Sequence, residues 1–330
     1  MWNIRVKVVI VMLFWVVFAP VCPARTARRT PKRQSVRRTA KQNRARALKL
    51  LDKYTQALDS TQSFIASYEL VQESSYYVPA RGPRFSGKMY GWGQHRADGQ
   101  RIYSQDYLWG DINTALMNLS KDTPQYNIRV NDGKKTYWHA RRVGDPSVKG
   151  RVGYNDARPR KAVFYLSADA PILGFFRIEE RLDSVLRQAN QIAVRPKTET
   201  IGGSECYVID ARTKYGKYSI WLDPEHGYHP AKVETKATEG DEHAHERIVP
   251  KGLVKLGYLK NVRFEKIDGI WVPMEADVGI HNTHEPDTFV KDDTHFKRTK
   301  IVLNPDHDKL GSFDNPLENP SQDPELVNGT

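Results

Sequence analysis

The sequence predicts an α+β fold built on an antiparallel sheet, and three observations carry the prediction. Asp98-Gly99, Asp132-Gly133 and Asp268-Gly269 each separate two runs rich in aromatic and β-branched residues, the mark of a hairpin with a type I′ turn. Successive hairpins make antiparallel neighbours, because parallel strands need long crossovers. Ahead of them Ala47, Leu48, Leu51, Tyr54, Ala57 and Leu58 recur at helical spacing, giving one apolar stripe on a helix over about Arg44–Ser60.

The first residues read as a targeting segment. Arg5 and Lys7 precede an apolar run from Val8 to Ala19, followed by "PVCPA". A basic start, a short apolar stretch and small residues at Cys22 and Ala24 describe a secretory signal cut after Ala24. The run is about 18 Å long as a helix, short of a bilayer core of about 30 Å. Val21 stands where a lipoprotein signal places a small residue, which argues against anchoring at Cys22. The expected location is periplasmic or secreted. With Cys22 in the signal, Cys206 is the one remaining thiol, so packing rather than a disulfide must hold the fold. In "SECYVIDA" it reads as a small buried strand residue.

The net charge of +12 resembles a nucleic-acid signal until it is divided along the chain. Residues 1–49 hold 13 of the 51 Lys and Arg and none of the 39 acids, leaving 38 bases against 39 acids, a formal charge of −1, in residues 50–330. The basic balance belongs to a leader, residues 25–43, whose polarity predicts disorder. It reads first as a solvated spacer between domain and membrane, and second as a contact with an anionic membrane or cell-wall polymer; nucleic acid is not expected.

After the helix the period changes to two. In "SFIASYELVQES", Phe64, Ala66, Tyr68 and Leu70 alternate with Ile65, Ser67, Glu69 and Val71, as in a strand with one buried face. Gly202-Gly203 and "PEHG" supply further turns. A second helix is expected over Arg177–Asn190, from Ile178, Leu182, Val185, Leu186 and Ala189. "VFYLSA" and "YSIWL" carry large apolar groups on both faces, so a second face needs cover or lines a cavity. Beyond Leu303, repeated prolines predict an extended tail docking Leu310 and Phe313.

Motifs for chemistry are scarce. Asp241, His243 and His245 in "GDEHAHER" have the donor types for zinc, as do "HNTHE" (281–285) and "DDTHF" (292–296) in part. None has the H-E-x-x-H register, and no metal or cofactor is expected. No G-x-S-x-G elbow, phosphate loop or dinucleotide fingerprint occurs. In "YSIWLDPEHGYHPAKVE" (218–234), Asp223, Glu225, His226 and His229 form a polar group that is either catalytic or a turn. Asp-Pro followed by Gly227 is turn chemistry, with Glu225 and His226 expected in solvent.

At 202–234 the chain resembles the outer-membrane lipoprotein-sorting superfamily, which includes the LolA and LolB carriers. The matching features are the glycine-led strand "ECYVID", the return strand "YSIWLD", the turn "PEHGY" and the strand from Pro230. "IDGIWVPMEAD" (267–277) resembles the next hairpin of that pattern. The resemblance implies a strongly curved antiparallel sheet, an open half-barrel, wrapped around a few helices, with an apolar cavity for acyl chains between them. It implies a non-catalytic carrier whose partners are lipid or lipoprotein acyl chains. Alternation nominates Tyr68, Leu70, Trp92, Trp138, Phe164 and Ile220 as lining residues. The expected organisation is signal 1–24, leader 25–43, half-barrel 44–303 and tail 304–330. An envelope sensor or interaction module on the same fold is the alternative, and a metal-dependent hydrolase the third reading.

Overall fold

The computed structural model describes residues 31–77, 84–99, 101–111, 124–132, 136–142, 151–155, 170–176, 180–243, 247–284 and 288–313. The chain divides into two compact units, Met1–Thr39 and Ala40–Thr330. The second holds a sheet of 14 strands. They are β1 (Ser63–Tyr77), β2 (Phe85–Asp98), β3 (Arg101–Gly110), β4 (Gln125–Asn131), β5 (Thr136–Arg142), β6 (Arg151–Asn155), β7 (Gln191–Val194), β8 (Glu199–Ile201), β9 (Ser204–Thr213), β10 (Gly216–Asp223), β11 (His229–Ala237), β14 (Leu253–Ile267), β15 (Ile270–His284) and β16 (Thr288–Leu303). Between β11 and β14, β12 (Glu242–His243) and β13 (Arg247–Ile248) pair with each other.

The spatial order is β6-β5-β4-β3-β2-β1-β16-β15-β14-β11-β10-β9-β7, with β8 paired to β9. Each recorded pairing is antiparallel. First and last long strands, β1 and β16, meet in the middle, so the two hairpin series run outward from a non-local seam. The sheet is large and curved and does not close into a barrel: an α+β open half-barrel.

The helices among the described residues are α1 (Pro31–Asp59) and α2 (Leu182–Arg187); α1 from Ala47 onward and α2 lie against the sheet. The apolar stripe of α1 packs as its spacing predicts: Ala47, Leu50, Leu51, Tyr54 and Leu58 join Leu182, Val185 and Leu186 of α2 in one core. The sheet contributes Tyr68, Leu70, Met89, Leu108, Phe296, Val278, Leu259, Val233, Ile220 and Ile209 to it. Burial in β1 follows the period-two reading over Phe64, Ala66, Tyr68 and Leu70. Polar groups lace the helices outside this core. Thr55 donates to Asp183 at 2.8 Å, and Arg181 reaches both Asp183 and Asp59 at 2.7 Å. Burial alone would push the Asp183 carboxyl up, but the Arg181 and Thr55 contacts outweigh it and hold it below the usual range.

Curvature has a sequence cause in "GWG". Directly opposite Tyr68 and Leu70 stand Gly93 and Gly91. A Cβ on Gly93 would run into the Gln105 carbonyl and lie 2.8 Å from the Tyr68 hydroxyl; one on Gly91 would lie 2.6 Å from Leu108. The missing side chains let the concave face tighten around Tyr68, whose hydroxyl donates to Asp106.

The structure corrects several expectations. α1 begins at Pro31, within the stretch expected to be disordered. Proline suits a first helical position, and Lys, Arg, Gln and Ala in 32–43 are good helix formers. α2 spans Leu182–Arg187 rather than Arg177–Asn190, because Phe175 bridges Arg181 in extended backbone immediately before it. Asp268-Gly269 is the expected turn, with both residues at positive φ (49° and 84°). At the first hairpin the turn slips by one. Asp98 pairs with Arg101, so Asp98 belongs to the strand rather than the turn, and its carboxylate binds Arg101. In the tail, Phe313 is buried beside Tyr103, Tyr126, Ile128 and Val130, whereas Leu310 stays exposed.

Candidate ligand groove

Of the lining candidates, Tyr68, Leu70 and Ile220 meet in the concave core. Leu51 and Tyr54 of α1 and Leu182 and Leu186 of α2 are fully buried in the same core. Trp92 is a correction. It pairs with Glu69 and Tyr107, which places it on the convex face, opposite Tyr68 and Leu70. There it stacks on Tyr107 at 4.2 Å and stays 38 % exposed. Trp138 lies in β5, paired with Arg129 of β4, with its side chain outside the described residues. Phe164 and all of "VFYLSA" also lie outside them, as do the signal and the turn at 133–135.

The second apolar face of "YSIWL" is accounted for locally. Trp221 packs with Cys206, Val208 and Ala231. Its ring lies 4.4 Å from Lys232 Nζ, and its Nε1 donates to Glu199 at 2.8 Å. Cys206 is wholly buried and its thiol is pushed up to about 12 by burial. It is the inert strand residue expected.

"DPEHG" is a turn, with Tyr228 N–H closing on the Asp223 carbonyl at 2.7 Å. Its histidines are nonetheless not in solvent, contrary to expectation for His226. His226 Nδ1 meets Asp223 Oδ2 at 2.6 Å, and its ring stacks on Phe264 at 4.7 Å and edges Trp271 at 4.6 Å. His229 is buried, its Nδ1 has no hydrogen-bond partner among the described residues, and its pKa is pushed down to about 4. Burial is the main cause, with the nearby Arg298 charge adding to it. Arg298 is buried too, donating to the Pro273 carbonyl at 3.0 Å and facing the Phe64 ring at 5.1 Å.

Among the described residues the metal candidates do not assemble. Asp241 is taken up by Arg212 and by the Thr238 backbone N–H at 2.8 Å, and residues 244–246 lie outside the described set. His281 Nε2 meets Asp293 at 2.7 Å and His295 Nδ1 meets Asp277 at 2.8 Å. Both pairs sit on the exposed convex face of β15 and β16. Among the described residues no three His, Cys, Asp or Glu side chains form a metal-sized group.

Among the described residues, two cavities bear on ligand binding. One, of about 110 Å³, lies between Leu58, Phe64, Leu173 and Phe175, too small for an acyl chain. The other is an open groove of about 860 Å³ at the β7 edge of the sheet, within the range of small-molecule sites. Ile192, Ala193, Ala211 and Tyr218 are its apolar lining, Ile192, Ala211 and Tyr218 on the core face of the strands and Ala193 on the other; Asn190, Gln191, Asp210, Arg212, Lys217 and Ser219 are its polar lining from the sheet, and Lys41, Asn43 and Arg44 come from α1. Arg44 anchors the helix by donating to the Ala189 and Arg187 carbonyls at 3.0 and 3.2 Å. Asp210 is neutralised by Arg195 at 2.8 Å and accepts from Ser219 at 2.6 Å; chiefly through Arg195, its carboxyl is held below the usual range. Nothing in the local sequence marks this groove, because it forms only when β7, β9 and β10 pair and α1 crosses their edge.

No protein-family model matches the chain, and no curated protein matches it. Among solved structures it is similar to a DUF1329 family protein from Desulfovibrio piger, at 15 % identity over 79 % of this chain and 92 % of that one, with a TM-score of 0.37. Lipovitellin, from a study of its lipid–protein interactions, aligns with 74 % of this chain and 26 % of its own at 10 % identity and a TM-score of 0.28. MucB, in complex with MucA, aligns with 78 % of this chain and 99 % of its own at 10 % identity and a TM-score of 0.20. At these scores the fold assignment rests on the strand pairing, and none of the three decides function.

Proposed function

We propose that this is an exported, non-catalytic carrier of the lipoprotein-sorting type that holds an acyl chain in the groove at the β7 edge. The observation that carries the reading is the groove of about 860 Å³, whose apolar lining is Ile192, Ala193, Ala211 and Tyr218. Carriage of this kind uses no covalent step: burying methylenes at about 0.8 kcal/mol each suffices for reversible holding. Purified full-length chain should release acyl lipid on organic extraction and, once stripped, take up a fluorescent fatty acid. Protein that carries no lipid and takes up none would refute the reading. N-terminal sequencing of the mature protein should begin at Arg25 and tests export.

A second reading, an envelope interaction module, is favoured by one feature. Tyr90 and Trp92 stand exposed on the convex face, stacked on Trp109 and Tyr107, in the manner of aromatic anchors at protein interfaces. Trp92→Ala with unchanged lipid uptake but lost capture of an envelope partner would select it.

A further inference from the structure

We propose that the convex face of β3 and β4 is a docking site for an extended polypeptide carrying a carboxylate and, five residues later, an aromatic ring. The chain's own segment 304–313 holds the site as a displaceable strap. The site lies on other strands than the groove and stands apart from the acyl reading. At β3 the sheet inverts its polarity. Register puts Tyr103, Tyr107, Tyr126, Ile128 and Val130 on the convex face with Trp92, while Asp106, bonded to Tyr68, and Asn127 opposite it lie on the concave one. An apolar outer face needs cover, and among the described residues the strap supplies it at one end. Phe313 is buried there among Tyr103, Tyr126, Ile128 and Val130. Past Tyr107 the same face runs on to Trp92 and Tyr90, both exposed.

The strap shows what the site recognises. Asp308 meets Arg101 Nη1 at 2.6 Å, and the same guanidinium faces the Phe313 ring at 4.8 Å. Arg96 lies over Tyr103 at 4.5 Å, with its Nη1 3.5 Å from the Ser312 carbonyl. Two arginines beside an aromatic well suit an acid followed by a ring. The strap is also loosely held. Ser312 is buried, yet its Oγ has no hydrogen-bond partner among the described residues, so docking it carries the desolvation cost of that group. His307 is buried as well, and burial pushes its pKa down. The Asp308 side chain is 82 % exposed, where an ion pair contributes little. A partner that takes the Phe313 seat and also covers Trp92 and Tyr90 gains aromatic surface that the strap does not use.

The test uses full-length protein and a fluorescein-labelled peptide copying residues 304–313, read by anisotropy. Phe313→Ala frees the well and should bind the peptide at least about tenfold more tightly than wild type, in which the tethered strap competes at high effective concentration. Asp308→Asn is the milder release, at an exposed position, and should raise affinity about two- to fivefold. Carried in the peptide instead, Asp308→Asn or Phe313→Ala should weaken binding to the released protein by similar factors. Equal affinity of wild type and both released variants, no binding to any of them, or binding indifferent to the two peptide changes overturns the proposal. A wild-type dimer that the free peptide dissolves also overturns it, by making a second copy's tail the occupant. Fatty-acid uptake by the same variants should stay unchanged, which keeps the acyl seat a separate question.

Discussion

Gly93→Ala tests the source of the sheet's curvature. The added methyl would meet the Gln105 carbonyl of β3, a backbone atom, and lie 2.8 Å from the Tyr68 hydroxyl and 2.9 Å from its Cζ. Relief requires β2 and β3 to separate or Tyr68 to leave its place over Phe296, 5.1 Å away between ring centroids. Overpacking of this kind costs about 1–3 kcal/mol. Displacing the Tyr68 hydrogen bond to the Asp106 carboxylate adds about 1.5 kcal/mol. Against these, alanine gains about 0.5–1 kcal/mol over glycine in a strand. The expected net loss is about 3 kcal/mol, read as a lower urea midpoint at unchanged slope. Tyr68→Phe in the same background should recover part of it, with a coupling of about 1 kcal/mol. A Gly93→Ala protein within about 0.5 kcal/mol of wild type would refute the reasoning that this glycine sets the bend.

Three further outcomes rest on packing and titration. Leu51→Ala, at a fully buried position of α1, should cost about 2–5 kcal/mol in thermal or urea unfolding; a loss under about 1 kcal/mol would mean that the helix is not part of the core. His229 has a folded pKa of about 4, below its unfolded value of about 6.5. The unfolded chain therefore binds the proton first, and stability should fall by about 3 kcal/mol as pH drops from about 6.5 to 4. Unfolding of His229→Phe followed by urea across that range should lack most of the slope. Cys206, buried with a raised pKa, should resist alkylation in the native protein at pH 8 and react at once in denaturant; rapid native labelling would contradict its placement.

The hairpins and the α1 stripe are legible in the sequence because their signals are local. Asp268 and Gly269 tolerate positive φ, and Ala47 to Leu58 repeat at the helical period. The one-residue slip at Asp98-Gly99 is not, since it is set by the Asp98–Arg101 ion pair and strand pairing rather than by turn composition. His226 reads as a solvent residue from its neighbours alone; Phe264 and Trp271, far along the chain, bring it under cover. Trp92 falls on the convex face, against expectation, because alternation fixes which residues share a face and not which face is inside. The groove is least legible: α1 and strands β7, β9 and β10 come together only through the β7–β9–β10 register and the path of α1.

Ala193→Trp tests the central claim most directly. Ala193 is half-buried in the groove lining and faces away from the core that holds Ile192, so an indole there occupies the groove without entering the core. Titration of a fluorescent fatty acid should show saturable binding by wild type and at least tenfold weaker binding by Ala193→Trp, with the two proteins unfolding alike. Unchanged affinity in the tryptophan variant would place any acyl chain elsewhere and contradict the account.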